Sequence, residues 1–97
     1  MFARLHVLET TPEQGERSLE LVREELLPWL RDSSGYRGLI GLADHEGGRT
    51  LVITLWADEE SLRASAAAGE QLAALTVANV DAERMAVETY EATLFDV

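Results

Sequence analysis

The chain has no cysteine, no lysine, only two prolines and only two each of tryptophan, tyrosine and phenylalanine. Lack of cysteine excludes disulfides, thiolate nucleophiles and cysteine metal sites together. Its eight basic side chains are all arginine, spread singly at positions 4, 17, 23, 31, 37, 49, 63 and 84. No basic stripe exists to neutralise a phosphate backbone. Against eighteen carboxylates they leave a net charge of -10, so nucleic acid and anionic membrane surfaces are not expected partners, and the acidity reads as a solvated exterior. No apolar run approaches the ~20 residues that cross a bilayer, and no charged leader with an apolar core opens the chain, so a cytoplasmic location is the expectation. The two histidines, His6 and His45, lack metal-ligand spacing, and no metal or cofactor is expected.

The 97 residues suit one domain, 1–97, with one modest core. Its organising stretch is residues 51–56, Leu-Val-Ile-Thr-Leu-Trp, apolar at nearly every position. A strand with one wet face alternates, so a run of this kind predicts a strand covered on both faces.

Around it the elements read in order. Residues 2–9 form a first strand with Ala3, Leu5 and Val7 on one face and Phe2, Arg4, His6 and Leu8 on the other. Thr11, Pro12 and Gln14 have the spacing of a capped helix start, and the helix runs to about residue 32 with Leu19, Val22, Leu26, Trp29 and Leu30 on its inner face. Pro28 lies inside it and should bend its last turn by leaving the Glu24 carbonyl unbonded. Residues 36–43 are a second strand, joined by a Gly-Gly turn to the central one. Asp58 caps a second helix that reaches about residue 80, with a break near Gly69 and a middle of small residues that allow close approach or leave room. A polar link, 81–84, leads to a last strand over residues 87–97.

This is the α+β order βαββαβ, a ferredoxin-like four-stranded antiparallel sheet with two helices on one face. Two helices cover one side only. The other would expose an apolar patch of several hundred Å², and burying roughly 600 Å² is worth on the order of 15 kcal/mol per chain before association costs. A homodimer packed sheet to sheet is the expected solution.

Three segments carry a resemblance: Gly-Tyr-Arg-Gly-Leu-Ile-Gly-Leu-Ala-Asp at 35–44, Thr-Leu-Trp-Ala-Asp-Glu-Glu-Ser-Leu at 54–62, and Val-Glu-Thr-Tyr-Glu at 87–91. Together with the element order, they make the chain resemble the dimeric α+β barrel superfamily, and within it the antibiotic biosynthesis monooxygenase-like domains. The resemblance implies a homodimer and a pocket between sheet and helices, with a tryptophan ending the third strand in its wall. Trp56 matches that tryptophan, with a packing role as the alternative. Haem-degrading relatives carry a histidine ligand on the second helix, which this chain lacks, and an asparagine on the first strand near Ala3, so haem binding in that mode is not expected. The pocket asparagine and tyrosine of the polyketide monooxygenases have Asn79 and Tyr90 as the nearest residues of their types. If Ala3 takes the place of the cleft asparagine, Arg4 and His6 point into the dimer interior. No nucleophile elbow, phosphate-cradling loop or histidine pair at helical spacing is present.

Two functions from different classes follow. One is a cofactor-independent monooxygenase acting on a small aromatic or polyketide-like substrate, with Trp56, Val52, Trp29, Leu62 and Leu72 as candidate cleft residues and Arg4, His6 and Arg84 as the polar groups able to stabilise an anion. The other is a non-catalytic homodimeric module for binding a small hydrophobic or aromatic molecule, or for assembly. An open cavity with polar atoms beside Trp56 favours the first; a space filled by Leu62, Leu72 and Trp29 leaves only a structural role.

Overall fold

The computed structural model describes residues 1–44, 46–66, 70 and 83–96, and the side chains of all of these except 83–85. Four antiparallel strands, β1 (Phe2–Glu9), β2 (Tyr36–Asp44), β3 (Arg49–Trp56) and β4 (Glu83–Glu91), lie in the order β2-β3-β1-β4. Helices α1 (Pro12–Leu21) and α2 (Leu27–Arg31) connect β1 to β2, and α3 begins at residues 59–66 after β3. The topology is the ferredoxin-like arrangement expected from the element order.

Local chemistry explains the start of α1. Thr11 accepts the Gln14 backbone N–H at 3.2 Å while the Gln14 side chain accepts the Thr11 N–H at 2.9 Å, and Pro12 occupies the first turn, where no donor is needed. Between α1 and α2 the chain stays helical but widens into a π turn over Val22–Leu26, with the Leu27 N–H bonded to the Val22 carbonyl. This turn sits directly before Pro28, whose ring would press on the Glu24 carbonyl in a regular helix. The expected bend is thus absorbed one turn earlier than the proline itself.

Register decides which strand face lies under the helices. Phe2, Arg4, His6 and Leu8 of β1 pair with Trp56, Thr54, Val52 and Thr50 of β3, and all of these except the half-buried Phe2 are buried. The core joins Val52 and Trp56 to Val22, Leu26, Leu30 and Leu62. Gly41 of β2 lets the helix settle onto the sheet, since a Cβ there would meet Leu19 Cδ2 at 2.6 Å. The expectation that Arg4 and His6 face away from the helices is therefore corrected. Trp56 and Val52 have to be roofed, and the pairing brings the even-numbered residues of β1 under the roof with them.

The opposite face carries Leu5, Ile53 and Ile40 in one cross-strand row and Val7, Leu51 and Leu42 in the next. Ile40 and Leu42 remain 39% and 45% exposed, and Tyr90, on the opposite edge strand β4, 55%. The apolar face of β1 thus lies outside and its polar face inside the single chain.

β4 begins four residues earlier than expected and ends six earlier. Backbone pairing to β1 extends through Glu9 and Glu83 regardless of side-chain polarity, with an irregularity between Val7 and Leu8. At the other end Phe2 pairs with Glu91, β1 runs out, and only the Ala92 N–H to Met1 carbonyl bond follows. Leu72, Asn79, the Gly69 break, the rest of the second helix and His45 lie outside the described residues. No helix among the described residues is long and apolar enough to cross a membrane.

Candidate functional site

The end of β3 and the two flanking helix termini enclose a cavity of about 510 Å³. Trp29, Ser33 and Ser34 come from the end of α2 and its turn, Trp56 from the last position of β3, and Asp58, Glu60, Ser61, Ala64 and Ser65 from the start of α3. Gly35 makes the turn possible. It has φ +80, and a side chain there would collide with Ser61, while its carbonyl accepts the Ala57 N–H at 2.7 Å. The two walls of the cavity are therefore tied together by backbone.

Trp56 is only 1% exposed. Its indole Nε1–H donates to Thr54 Oγ1 at 3.0 Å, and its ring meets Tyr36 edge to face with centroids 6.0 Å apart. Trp56 thus borders the cavity with nearly all of its ring packed in the core, and it keeps its donor for the protein. Behind the wall, Arg4 donates to the Leu62 carbonyl at 2.9 Å and to Ser65 Oγ at 3.4 Å, and Ser65 Oγ donates in turn to the Leu62 carbonyl at 2.8 Å. Burial lowers the Arg4 pKa from its ordinary value and the Glu70 carboxylate partly offsets this. Arg4 therefore places a buried cation one residue behind a cavity-lining hydroxyl. His6 is buried next to it on the same face of β1.

Asp58 caps α3. The Ser61 backbone N–H donates to its carboxylate at 2.7 Å; that bond first, then the Ser61 hydroxyl, holds its pKa below the ordinary value, with Arg37 contributing less. A carboxyl whose pKa is lower in the folded state contributes stability above its unfolded pKa, and loses it as pH falls through the folded value. Asp58→Asn keeps a capping oxygen but does not titrate. Its urea midpoint should fall less than that of the parent chain between about pH 5 and about pH 2, and an equal fall would contradict the role of this cap.

A second cavity of about 370 Å³ lies across the Trp56–Tyr36 pair, between the α1–α2 helix and β2, and is lined by Val52, Tyr36, Leu39 and Gly41 from the sheet and Leu19, Val22, Arg23, Leu27 and Arg31 from the helix. The single expected cleft is thus divided. Trp29 and Trp56 line one part and Val52 the other, while Leu62 packs in the core and offers its carbonyl to Arg4. Arg84 lies in β4, its side chain not described. The serines of the first cavity have no motif in the sequence: Ser33 and Ser34 follow the first helix, Ser61 falls in the segment 54–62 and Ser65 opens the run of small residues. Among the described residues no cluster of three or more His, Asp or Glu could hold a metal ion.

No protein-family model matches the chain, and no curated protein is similar to it in sequence at a significant level. Solved structures do match. The monooxygenase from ActVA-Orf6 of Streptomyces coelicolor, in complex with nanaomycin D, is 14% identical over 99% of this chain and 92% of its own, with a TM-score of 0.73. SnoaB, a cofactor-independent oxygenase from Streptomyces nogalater, is 10% identical over 97% and 94%, with a TM-score of 0.70. A protein of unknown function from Nitrosomonas europaea is 21% identical over 99% and 92%, also with a TM-score of 0.70. A structure described as an antibiotic biosynthesis monooxygenase is 21% identical over 97% of this chain and 100% of its own, with a TM-score of 0.65. At these identities the likeness is one of architecture: the chain has the ferredoxin-like α+β fold of the antibiotic biosynthesis monooxygenase-like proteins.

Proposed function

We propose that the protein is a cofactor-independent monooxygenase-like homodimer that takes a small aromatic or polyketide-like molecule into the cavity beside Trp56. The observation that carries this is the cavity itself. Its 510 Å³ lies in the range of small-molecule sites, and it combines two tryptophan rings with serine hydroxyls rather than being filled by core side chains. Two of the structures that share the fold are oxygenases, one of them cofactor-independent.

In such chemistry the substrate supplies the electrons, so the protein has to bind it, orient it and favour its anion. Trp29 offers apolar ring surface, the core-packed Trp56 backs the wall, and Ser33, Ser34 and Ser61 can orient substrate hydroxyls. Arg4 acts through its field, because its N–H groups are engaged by Leu62 and Ser65. The homodimer is supported by the apolar rows on the outer sheet face.

Dioxygen uptake with hydroxylated naphthalene or anthracene substrates tests the proposal. Uptake is expected to fall at least about tenfold in Ala64→Phe, which fills the cavity from an exposed helix position, and to persist in the surface control Glu20→Gln. No uptake across such a panel would overturn the oxygenase assignment. A second function, a non-catalytic binding module, is favoured by the mutual commitment of Arg4, Ser65 and Trp56 to protein partners. It predicts ligand binding that Ala64→Phe abolishes, with no oxygen consumed.

A further inference from the structure

The second cavity stands apart from the Trp56 site in its electrostatics. Every other arginine whose side chain is described is engaged: Arg4 with Leu62 and Ser65, Arg17 with Glu20, Arg37 with the Tyr36 carbonyl, Arg49 with Asp44 and Arg63 with Glu59. Arg23 and Arg31 alone among them make neither a hydrogen bond nor an ion pair, and both line this one cavity. In a chain of net charge -10, two uncommitted cations at one opening are a local reversal of sign.

The backbone explains why they share it. Leu19, Arg23, Leu27 and Arg31 follow one another at every fourth position. In a regular helix of 3.6 residues per turn such a row drifts around the axis by about 40° per step. The wider turn at Val22–Leu26 counteracts that drift and keeps the row over β2. Below it Leu39 and Val52 supply an apolar floor, and Tyr36, whose ring meets Trp56, lines the same cavity. Burial raises the Tyr36 pKa, with Arg31 opposing, so the hydroxyl stays protonated and able to donate.

We propose that this cavity binds an organic carboxylate with a compact apolar body, the body resting on Leu39 and Val52 and the carboxylate held by Arg23, Arg31 and Tyr36. A volume of 370 Å³ accommodates a one- or two-ring molecule. The Trp56 cavity has Asp58 and Glu60 but no arginine in its lining, so it offers a carboxylate no cation to pair with directly. The proposal is independent of any chemistry at Trp56.

Isothermal titration of the full chain with 2-naphthoate tests it, with 2-naphthylmethanol as the neutral counterpart. Saturable 2-naphthoate binding is expected, at least about tenfold tighter than that of the alcohol and weakened by salt. The double variant Arg23→Gln/Arg31→Gln changes two exposed helix positions, so it should fold with an unaltered far-ultraviolet spectrum and bind at least about tenfold more weakly. Ala64→Phe, which fills the other cavity, should leave the affinity unchanged. Absence of saturable binding at millimolar 2-naphthoate, unchanged affinity in the double variant, or loss of binding in Ala64→Phe would each overturn the proposal.

Discussion

Replacing Trp56 with alanine is expected to destabilise the fold by roughly 3–5 kcal/mol, the range for truncating a buried large aromatic side chain. Three contributions add. The ring is fully enclosed in the cluster of Val22, Leu26, Leu30, Val52 and Leu62, so its removal leaves a hole next to an existing cavity. The edge-to-face contact with Tyr36 is lost. Thr54 Oγ1, buried on the same strand face, loses the donor that bonds it. Globular domains are commonly stable by only 5–15 kcal/mol, so the variant would sit near the edge of folding, with a melting temperature lowered on the order of 20 °C. Trp56→Phe retains most of the ring and should cost less than half as much. A melting temperature within about 2 °C of the parent in Trp56→Ala would show that the residue serves the cavity wall and not the core.

The second large effect concerns the outer sheet face. Ile40 and Leu42 are exposed enough in the single chain for charge to be tolerated there, yet they close the rows formed by Leu5 with Ile53 and Val7 with Leu51. In a sheet-to-sheet dimer those rows are buried against their own copies. Ile40→Glu/Leu42→Glu would then bring carboxylates of like sign together in a desolvated interface, at a cost of several kcal/mol per pair. The double variant is expected to sediment as a folded monomer with an unchanged far-ultraviolet spectrum. A double variant that still dimerises would place the interface elsewhere.

Much of the architecture was legible in the sequence, for identifiable reasons. The nearly continuous apolar run at 51–56 marked a strand in the interior of the sheet, and Thr11, Pro12 and Gln14 marked a helix start that the capping bonds reproduce. Pro28 signalled a disturbed helix but not its form, because a chain can absorb a missing donor by bending or by widening the preceding turn. Strand parity was not legible from β1 alone. Hydropathy places Ala3, Leu5 and Val7 inside, whereas pairing with β3 places Arg4 and His6 there. A cross-strand partner outweighs the hydropathy of a single strand, and an apolar set can lie outside if a second chain covers it. The division of the cleft also escaped a one-dimensional reading, since Tyr36 and Trp56 are twenty positions apart and meet only through the pairing of β2 and β3. Resemblance pointed correctly to the fold, while the serines and the uncommitted arginines had no motif to announce them.

The inversion of β1, polar side inward and apolar side outward, makes physical sense only if the outward side is also buried, and the proposed homodimer would supply that burial. Sedimentation equilibrium of the unmodified chain at micromolar concentration tests this most directly. Two chains of 10.7 kDa moving as one particle is the predicted result; a single 10.7 kDa species with Leu5, Leu51 and Ile53 facing water would contradict it.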